Sequence, residues 1–447
     1  MKLQQVTQVA VFYEPAPDRR RKVGRLALKG RELLFEYDAA FLGAGLELSP
    51  FQLPLRPGVV VGQANVLDGL MGVFDDSLPD GWGRLLIDRR AAELGVSGGS
   101  LTPLDRLTLV GARSMGALIY EPEIALDEPE VVKLSELAAA TEVVLEGAAG
   151  ADLERLIALG GSPKGARPKV LVQLAPNGDV IAGARSIRPG YTAWLVKFPA
   201  RDDDPHSAAL EHAYFLMAKA AGLEVPPTRL LGKTTRSRGY FAIERFDREG
   251  ATRIHTHTLG GLLHLPHGYP ALDYADLLKV TRKLTRNEAA VAEMFRRACF
   301  NVFAHNRDDH SRNFAFLMTE RGAWRPSPAY DLTFAAGPGG EHTMLVTGEG
   351  RAPGAAHLLS LARAAELKRP QQIIDEVRTA VRRFPTFADR AGVPARLSRT
   401  VARALGLSNR APRSRAATGA RGRRRGGRGP RAGRRPRRPC RSGGRRR

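Results

Sequence analysis

The residues richest in chemistry are crowded into Asn301–Met318, NVFAHNRDDHSRNFAFLM. A helical pattern carrying Phe295, Cys299 and Phe303 runs into the polar stretch HNRDDHSRN, and the apolar strand pattern FAFLM follows at once. Asp308, Asp309, His310 and Asn313 therefore share one short loop between two rigid elements, a setting common to groups that act on ligands. Asp308 and Asn313 have the D-x-x-x-x-N spacing of a phosphotransferase loop. In that chemistry the Asp accepts the proton of the attacking hydroxyl, while the Asn and a later Asp offer oxygen ligands to Mg2+, a hard cation. Asp331, in SPAYDLTF, follows in the order that such an Asp requires. Two other readings fit the same residues. Asp, Asn and His also make solvated turns that cap the next element. His305, Asp308, Asp309 and His310 could instead gather Zn or Fe, although no H-x-x-x-H or H-x-H spacing marks such a site.

The elements that must position these groups lie upstream. Gly160–Lys169, GGSPKGARPK, is a glycine-containing turn before the strand pattern VLVQLA, able to turn backbone N–H groups toward phosphates. It matches neither G-x-x-x-x-G-K-[ST] nor G-x-G-x-x-G. Lys197 lies in AWLVKFPA among Trp194, Leu195, Val196 and Phe198, and an ammonium in such surroundings needs an anion beside it. Glu211, on the helical pattern Ala208–Ala221, can supply one in a Lys–Glu pair. The plain alternative is a surface lysine on an edge strand and an exposed Glu. Tyr240–Phe246, YFAIERF, reads as a strand whose end would meet an adenine, and as a core strand in either case.

The rest of the chain sets the frame. Its 447 residues carry 69 Lys+Arg against 46 Asp+Glu, a formal charge of +23 that invites a nucleic-acid reading. Residues 410–447 hold 17 of the arginines and no acid, so subtracting them leaves +6 for the body. Cys299 and Cys440 are too few and too far apart for a disulfide scaffold or a four-cysteine zinc site, and they fit a reducing compartment. No apolar run reaches the roughly 18 residues that span a bilayer, and MKLQQVTQVAVFYEP has no signal-peptide core, so the expected location is cytoplasmic. Short strands are expected at Val6–Phe12, Val23–Leu28 and Leu33–Tyr37, and helices at Ala271–Thr285, Asn287–Phe303, Ala355–Ala364, Gln371–Phe384 and Leu397–Leu405. A strand-rich front and a helix-rich back predict an α+β, two-lobed, protein-kinase-like body.

FDDSLPDGWGRLLIDR, LTPLDRLTLVGARSMGALIY, SPKGARPK, WLVKFP, the Glu211 helix, AIERFDR, FNVFAHNRDDHSRNFAF and SPAYDL occur in the order found in the HipA family, the serine/threonine-protein kinase toxins of type II toxin–antitoxin systems, which the sequence resembles over roughly residues 1–400. The resemblance implies a β-rich N-terminal module at 1–123, a nucleotide-binding lobe at 124–246 and a helical catalytic lobe at 247–409, while composition alone makes 410–447 a disordered basic tail. It implies ATP and Mg2+ as cofactors, and Asp308 as catalytic base. Lys164, Gly165, Ala166, Arg167, Pro168, Lys169 and Lys197 would line the phosphates. Glu244, Arg245 and Phe246 would meet the adenine. His310, Ser311, Arg312, Asn313, Tyr330 and Asp331 would border the nucleotide, with Asn313 and Asp331 on the metal. Ser162 matches the family's autophosphorylated loop serine. Lys164 departs from the small residue usual at its position, and the arginine tail has no counterpart. The implied partners are a protein substrate, such as an aminoacyl-tRNA synthetase, and a helix-turn-helix antitoxin through which contact with DNA would be indirect, with no membrane involved. The competing classes are a nucleic-acid-associated binding protein using the arginine tail, whose contacts would be phosphate-driven and salt-sensitive, and a small-molecule kinase.

Overall fold

Alternation of apolar and polar residues near the start of the chain builds a meander. β1 (Gln8–Tyr13), β2 (Arg21–Lys29), β3 (Glu32–Tyr37), β4 (Val59–Val61) and β5 (Leu118–Glu121) form an antiparallel sheet in the order β4-β3-β2-β1-β5. Val9, Val11 and Tyr13 on β1 and Leu33, Phe35 and Tyr37 on β3 all point into one core, as the period of two requires. This computed structural model describes residues 5–93, 95–124, 133–147, 153–160, 165–182, 186–200, 202–233, 238–266 and 272–407. The tail expectation for 410–447 lies outside them. Between β4 and β5, the helix Pro103–Val110 starts at a capping box in which Asp105 N–H donates to the Thr102 hydroxyl at 3.2 Å and Thr102 N–H to Asp105 at 2.8 Å.

A second antiparallel sheet carries the lysines. β6 (Lys169–Leu174), β7 (Val180–Ala182), β8 (Thr192–Lys197), β9 (Thr228–Leu231) and β10 (Tyr240–Glu244) run in the order β7-β6-β8-β10-β9. An Asn177-Gly178 turn joins β6 to β7, with Gly178 at φ 94°. In the β6–β8 ladder Lys169 stands directly opposite Lys197. Helices Leu134–Leu145 and Leu153–Gly160 cover one face, burying Leu137, Leu156 and Leu159 with Val170, Trp194 and Val196. Trp82 and Leu86, from the helix Gly81–Glu93, join this cluster rather than the first.

The back half is helical, with Tyr274–Thr285, Glu288–Ala304, Ala355–Ala364, Pro370–Arg382, Phe384–Ala391 and Ala395–Ala404 around the largest core. It also holds a two-residue ladder, β11 (Arg248–Glu249) with β12 (Thr252–Arg253), and a sheet of β13 (His255–Thr258), β14 (Ala315–Met318) and β15 (Trp324–Pro326). The pattern FAFLM is β14; β15 is too short for any alternation to announce it. The protein is therefore α+β, strand-rich in front and helix-rich behind, and Met1–Leu407 forms one compact unit. Among the described residues no helix is long and apolar enough to cross a membrane.

Glu288–Ala304 is the spine of the back half, and Phe295 on it is fully buried. Phe295→Ala should lower unfolding stability by about 3–5 kcal/mol, read as a lower urea midpoint. A loss under about 1 kcal/mol would contradict this packing.

Candidate active site

The helix Glu288–Ala304 ends because His305 turns left-handed, with φ 49°, and the chain then crosses a polar loop into β14. Asp309 anchors this loop. Its buried carboxylate accepts from the Tyr274 hydroxyl at 2.7 Å, from His342 Nδ1–H at 2.8 Å, and from the N–H groups of Thr343 at 2.8 Å and Met344 at 3.3 Å. Asn301 donates to the Tyr274 oxygen at 2.9 Å, and Asn306 donates to Asn301 Oδ1 at 2.9 Å. With Asp309 fixed inward, Asp308 faces out, its side chain 59% exposed. Asn313 Nδ2 donates to the Asp308 carbonyl at 2.7 Å, closing the D-x-x-x-x-N loop on itself. His310 Nδ1 accepts from Arg312 N–H at 3.3 Å, so its proton sits on Nε2, which lies 3.9 Å from Asp308 Oδ1. Partial burial raises the Asp308 pKa above the usual carboxylate range; His310 opposes this, and repulsion from Asp331 and Asp309 adds to it.

Facing this loop, the Lys197 ammonium is held between Glu211 Oε1 at 2.7 Å and Asp331 Oδ1 at 2.5 Å. The lysine side chain is 14% exposed and that of Glu211 4%. Burial works against the Lys197 charge, but Asp331 and Glu211 together carry its pKa above the ordinary lysine value. Burial likewise opposes the Asp331 charge, yet Lys197 foremost, then Lys169 and His310, hold Asp331 well below the usual range. Burial pushes Glu211 up, against the pull of Lys197. Asp331 adopts φ 55°, a left-handed conformation that Asp tolerates better than most residues. The Tyr330 hydroxyl donates to the Arg312 carbonyl at 2.6 Å, tying the Asp331 turn to the Asp308–Asn313 loop.

Lys169, across the ladder from Lys197, is also buried. Burial, then repulsion from Lys197, lowers its pKa to about 8. The turn before it folds back over the ammonium: a Cβ at Gly165 would lie 2.5 Å from Lys169 Nζ, and its φ of 111° is one that side chains rarely adopt. Gly165 N–H donates to the Asp80 carboxylate, and Arg167 pairs with Asp203 at 2.9 Å.

A family model described as the HipA-like C-terminal domain matches residues 161–384, and one for the HipA N-terminal domain matches residues 19–121. The chain belongs to the HipA family. The HipA fold is also seen directly: a chain solved from the toxin–antitoxin complex of Shewanella oneidensis HipA, HipB and operator DNA superposes with a TM-score of 0.65, covering 89% of this chain and 95% of that one at 19% identity. Curated relatives carry kinase names. A "Putative kinase" of Haemophilus influenzae is 28% identical over 30% of this chain and 43% of its own length. "Putative kinase Y4dM" and "Putative kinase Y4mE" of Sinorhizobium fredii are 30% and 28% identical, over 43% and 58% of this chain and 50% and 63% of their own. The chain thus spans about half the length of the curated relatives it matches.

Of the HipA positions singled out in the sequence, Lys169, Lys197 and Asp331 meet in one charged cluster that also reaches Asp308 and His310. Asn313 and Tyr330 hold the backbone around it. Phe246, just past the end of β10, packs at a tilt against Tyr330, with ring centroids 5.4 Å apart. Ala166 lies against Gly81, and Pro168 accepts from Phe198 N–H at 2.8 Å. Ser311 packs on Gly260. Other side chains turn elsewhere. Arg245 is locked on the buried Asp247 at 2.8 and 2.9 Å, and Arg312 pairs with Asp75 and Asp76. Glu244 is raised by partial burial and opposed by Arg229. Ser162 and Lys164 lie outside the described residues. The Zn or Fe alternative finds no support: among the described residues no three His, Cys, Asp or Glu side chains form a metal-holding group, Asp309 is spent on anchoring and His305 ends a helix. Sequence reasoning missed Asp75, Asp76, Tyr274 and His342. Two adjacent acids in MGVFDDSLPDGW, an otherwise apolar setting, were the available signal that a buried cation awaited them.

The lowered Lys169 pKa has a signed consequence. Below pH 8 both states carry the proton and the fold bears the buried charge; from about 8 toward 10.5 the folded state sheds it first, so stability rises with pH. The stability of wild type minus that of Lys169→Met, from urea unfolding, should therefore increase between pH 8 and 10. A flat difference would contradict the assignment.

Proposed function

We propose that the chain is an ATP-dependent kinase that transfers a phosphoryl group to a Ser or Thr hydroxyl of a cytoplasmic protein. The observation that carries this reading is the Lys197–Glu211–Asp331 cluster beside the Asp308–Asn313 loop, the set of groups phosphoryl transfer needs. The residues suit Mg-ATP. An amide oxygen at Asn313 and a carboxylate at Asp331 are hard donors, Lys197 and Lys169 are cations for phosphate oxygens, and the missing Cβ at Gly165 leaves room above Lys169. Bound Mg-ATP would supply the transferable phosphoryl group and a cation that neutralises its charge.

The chain's own residues do the rest. Glu211 keeps the Lys197 ammonium in place, and Lys197 with Lys169 balances negative charge on the phosphates. Asn313 and Asp331 would hold the metal. Asp308, exposed and with its pKa raised, accepts the proton of the incoming hydroxyl. Asp309 and its partners keep that carboxylate aimed outward, so positioning rather than covalent chemistry carries the rate. Ser162, just ahead of Gly165, is proposed as an autophosphorylation site; a phosphoserine dianion there would be repelled by ATP phosphates and would switch the enzyme off.

By family kinship, the acceptor is assigned to the translation machinery, with an aminoacyl-tRNA synthetase as the type. The Shewanella oneidensis HipA was solved with HipB and operator DNA. The corresponding partner here is a helix-turn-helix antitoxin, through which DNA is contacted indirectly.

Incubation with γ-labelled Mg-ATP and host lysate tests the reading. Wild type should label an acceptor protein and, by mass spectrometry, Ser162. Asp308→Asn should lose transfer by about 10²–10⁴-fold while binding ATP normally. Undiminished transfer in Asp308→Asn would overturn the proposal.

A further inference from the structure

The stretch DDSLPDGW, Asp75–Trp82, lies in the part of the chain that matches the HipA N-terminal domain, yet it touches both loops of the proposed site. At one end stands Arg312, its side chain 2% exposed, with Nη2 on Asp75 at 2.7 Å and Nη1 on Asp76 at 3.1 Å. Arg312 directly precedes Asn313 in the loop that begins at Asp308. Asp76 is itself fixed. It accepts from the Thr258 N–H and hydroxyl, both at 2.7 Å, and from His257 Nδ1–H at 2.6 Å. The far side of that ring accepts from the Ser49 hydroxyl at 3.0 Å. Ser49, His257 and Asp76 have the order of a hydrolytic triad, but Ser49 and His257 are fully buried and no substrate can reach them. They act as a prop beneath Arg312.

At the other end the same stretch grips the turn before Lys169. The Asp80 carboxylate accepts from Gly165 N–H, and Trp82 N–H donates to the Gly165 carbonyl at 3.3 Å. Gly81 comes so close that a Cβ on it would lie 2.6 Å from Ala166 Cα. The two ends of one short segment thus reach the turn that carries Lys169 and the loop that carries Asp308 and Asn313, which are far apart in sequence.

We propose that Asp75–Trp82 is a positioning segment of the phosphotransfer site: Asp75 and Asp76 set the catalytic loop through Arg312, and Asp80–Trp82 set the phosphate turn through Gly165 and Ala166. Charge-assisted pairs with little freedom fix geometry more tightly than neutral contacts do. Small displacements of catalytic groups cost large factors in rate. The N-terminal module is then part of the site rather than an attachment to it. The inference rests on the proposed phosphotransfer reading for its catalytic consequence, but not for its structural one.

Two variants of the full chain separate the ends. Asp75→Asn keeps the shape and removes one charge from Arg312. Its amide exchange over Asp308–Asn313 should rise about tenfold, and kcat should fall about tenfold with the KM for ATP within about twofold. Asp80→Ala releases Gly165. Exchange over Gly165–Lys169 should rise, and the KM for ATP should increase about tenfold with kcat largely kept. A purely structural role would lower global stability and the active fraction without this split. Unchanged exchange at both loops, or equal loss of kcat with no change of KM in both variants, would overturn the inference. Wild type that transfers no phosphate would overturn the proposed function instead, and the exchange measurements would still decide the positioning.

Discussion

A buried ammonium cannot stand alone, and the position of Lys197 sets terms for the rest of the molecule. Removing such an ion from water costs several kcal/mol unless counter-charges meet it with good geometry. Two carboxylates do so from different parts of the chain, Glu211 from the helix Ser207–Ala220 and Asp331 from the turn after β15. The second sheet must therefore sit against the helical half where these acids project. Lys169 opposite repeats the demand, and its lowered pKa records burial first and the repulsion of Lys197 second. Two lysines thus stand side by side among apolar strands, met by the carboxylates of Asp331, Glu211 and Asp80.

The Asp308–Asn313 loop answers a second constraint, which is how to expose one Asp while its neighbour is buried. Asp309 goes inward to four donors and Asp308 is left outside. Tyr274, Asn301 and His342 form the buried network that makes this choice. Arg312 adds a tether toward the N-terminal module, so the loop is held from the helical core and from the first sheet's domain at once.

Much of this was legible in the chain. The spacing of Asp308 and Asn313, the apolar flanks of Lys197, and the later Asp331 picked out residues that the fold brings together. The strand and helix periodicities located β1–β3, β6, β8, β10 and the helices around Glu288–Ala304. Other features could not be read, because they depend on long-range contact. Nothing local distinguishes Asp309 from Asp308. Arg312 meets Asp75 across more than two hundred residues, and the arginine's type fits a nucleotide contact equally well in sequence. Arg245 likewise suits an adenine-facing strand end by position, yet its guanidinium serves Asp247. The formal charge of +23 was the least informative quantity, since 17 of its arginines lie in residues 410–447.

The central claim, that Asp331 serves both Lys197 and a metal-bound nucleotide, is tested most directly by calorimetric titration of ATP with and without Mg2+. The account predicts that Mg2+ tightens ATP binding to wild type by about tenfold or more and that Asp331→Asn removes this increment. Equal ATP affinity in wild type with and without Mg2+, or an undiminished Mg2+ effect in Asp331→Asn, would contradict it.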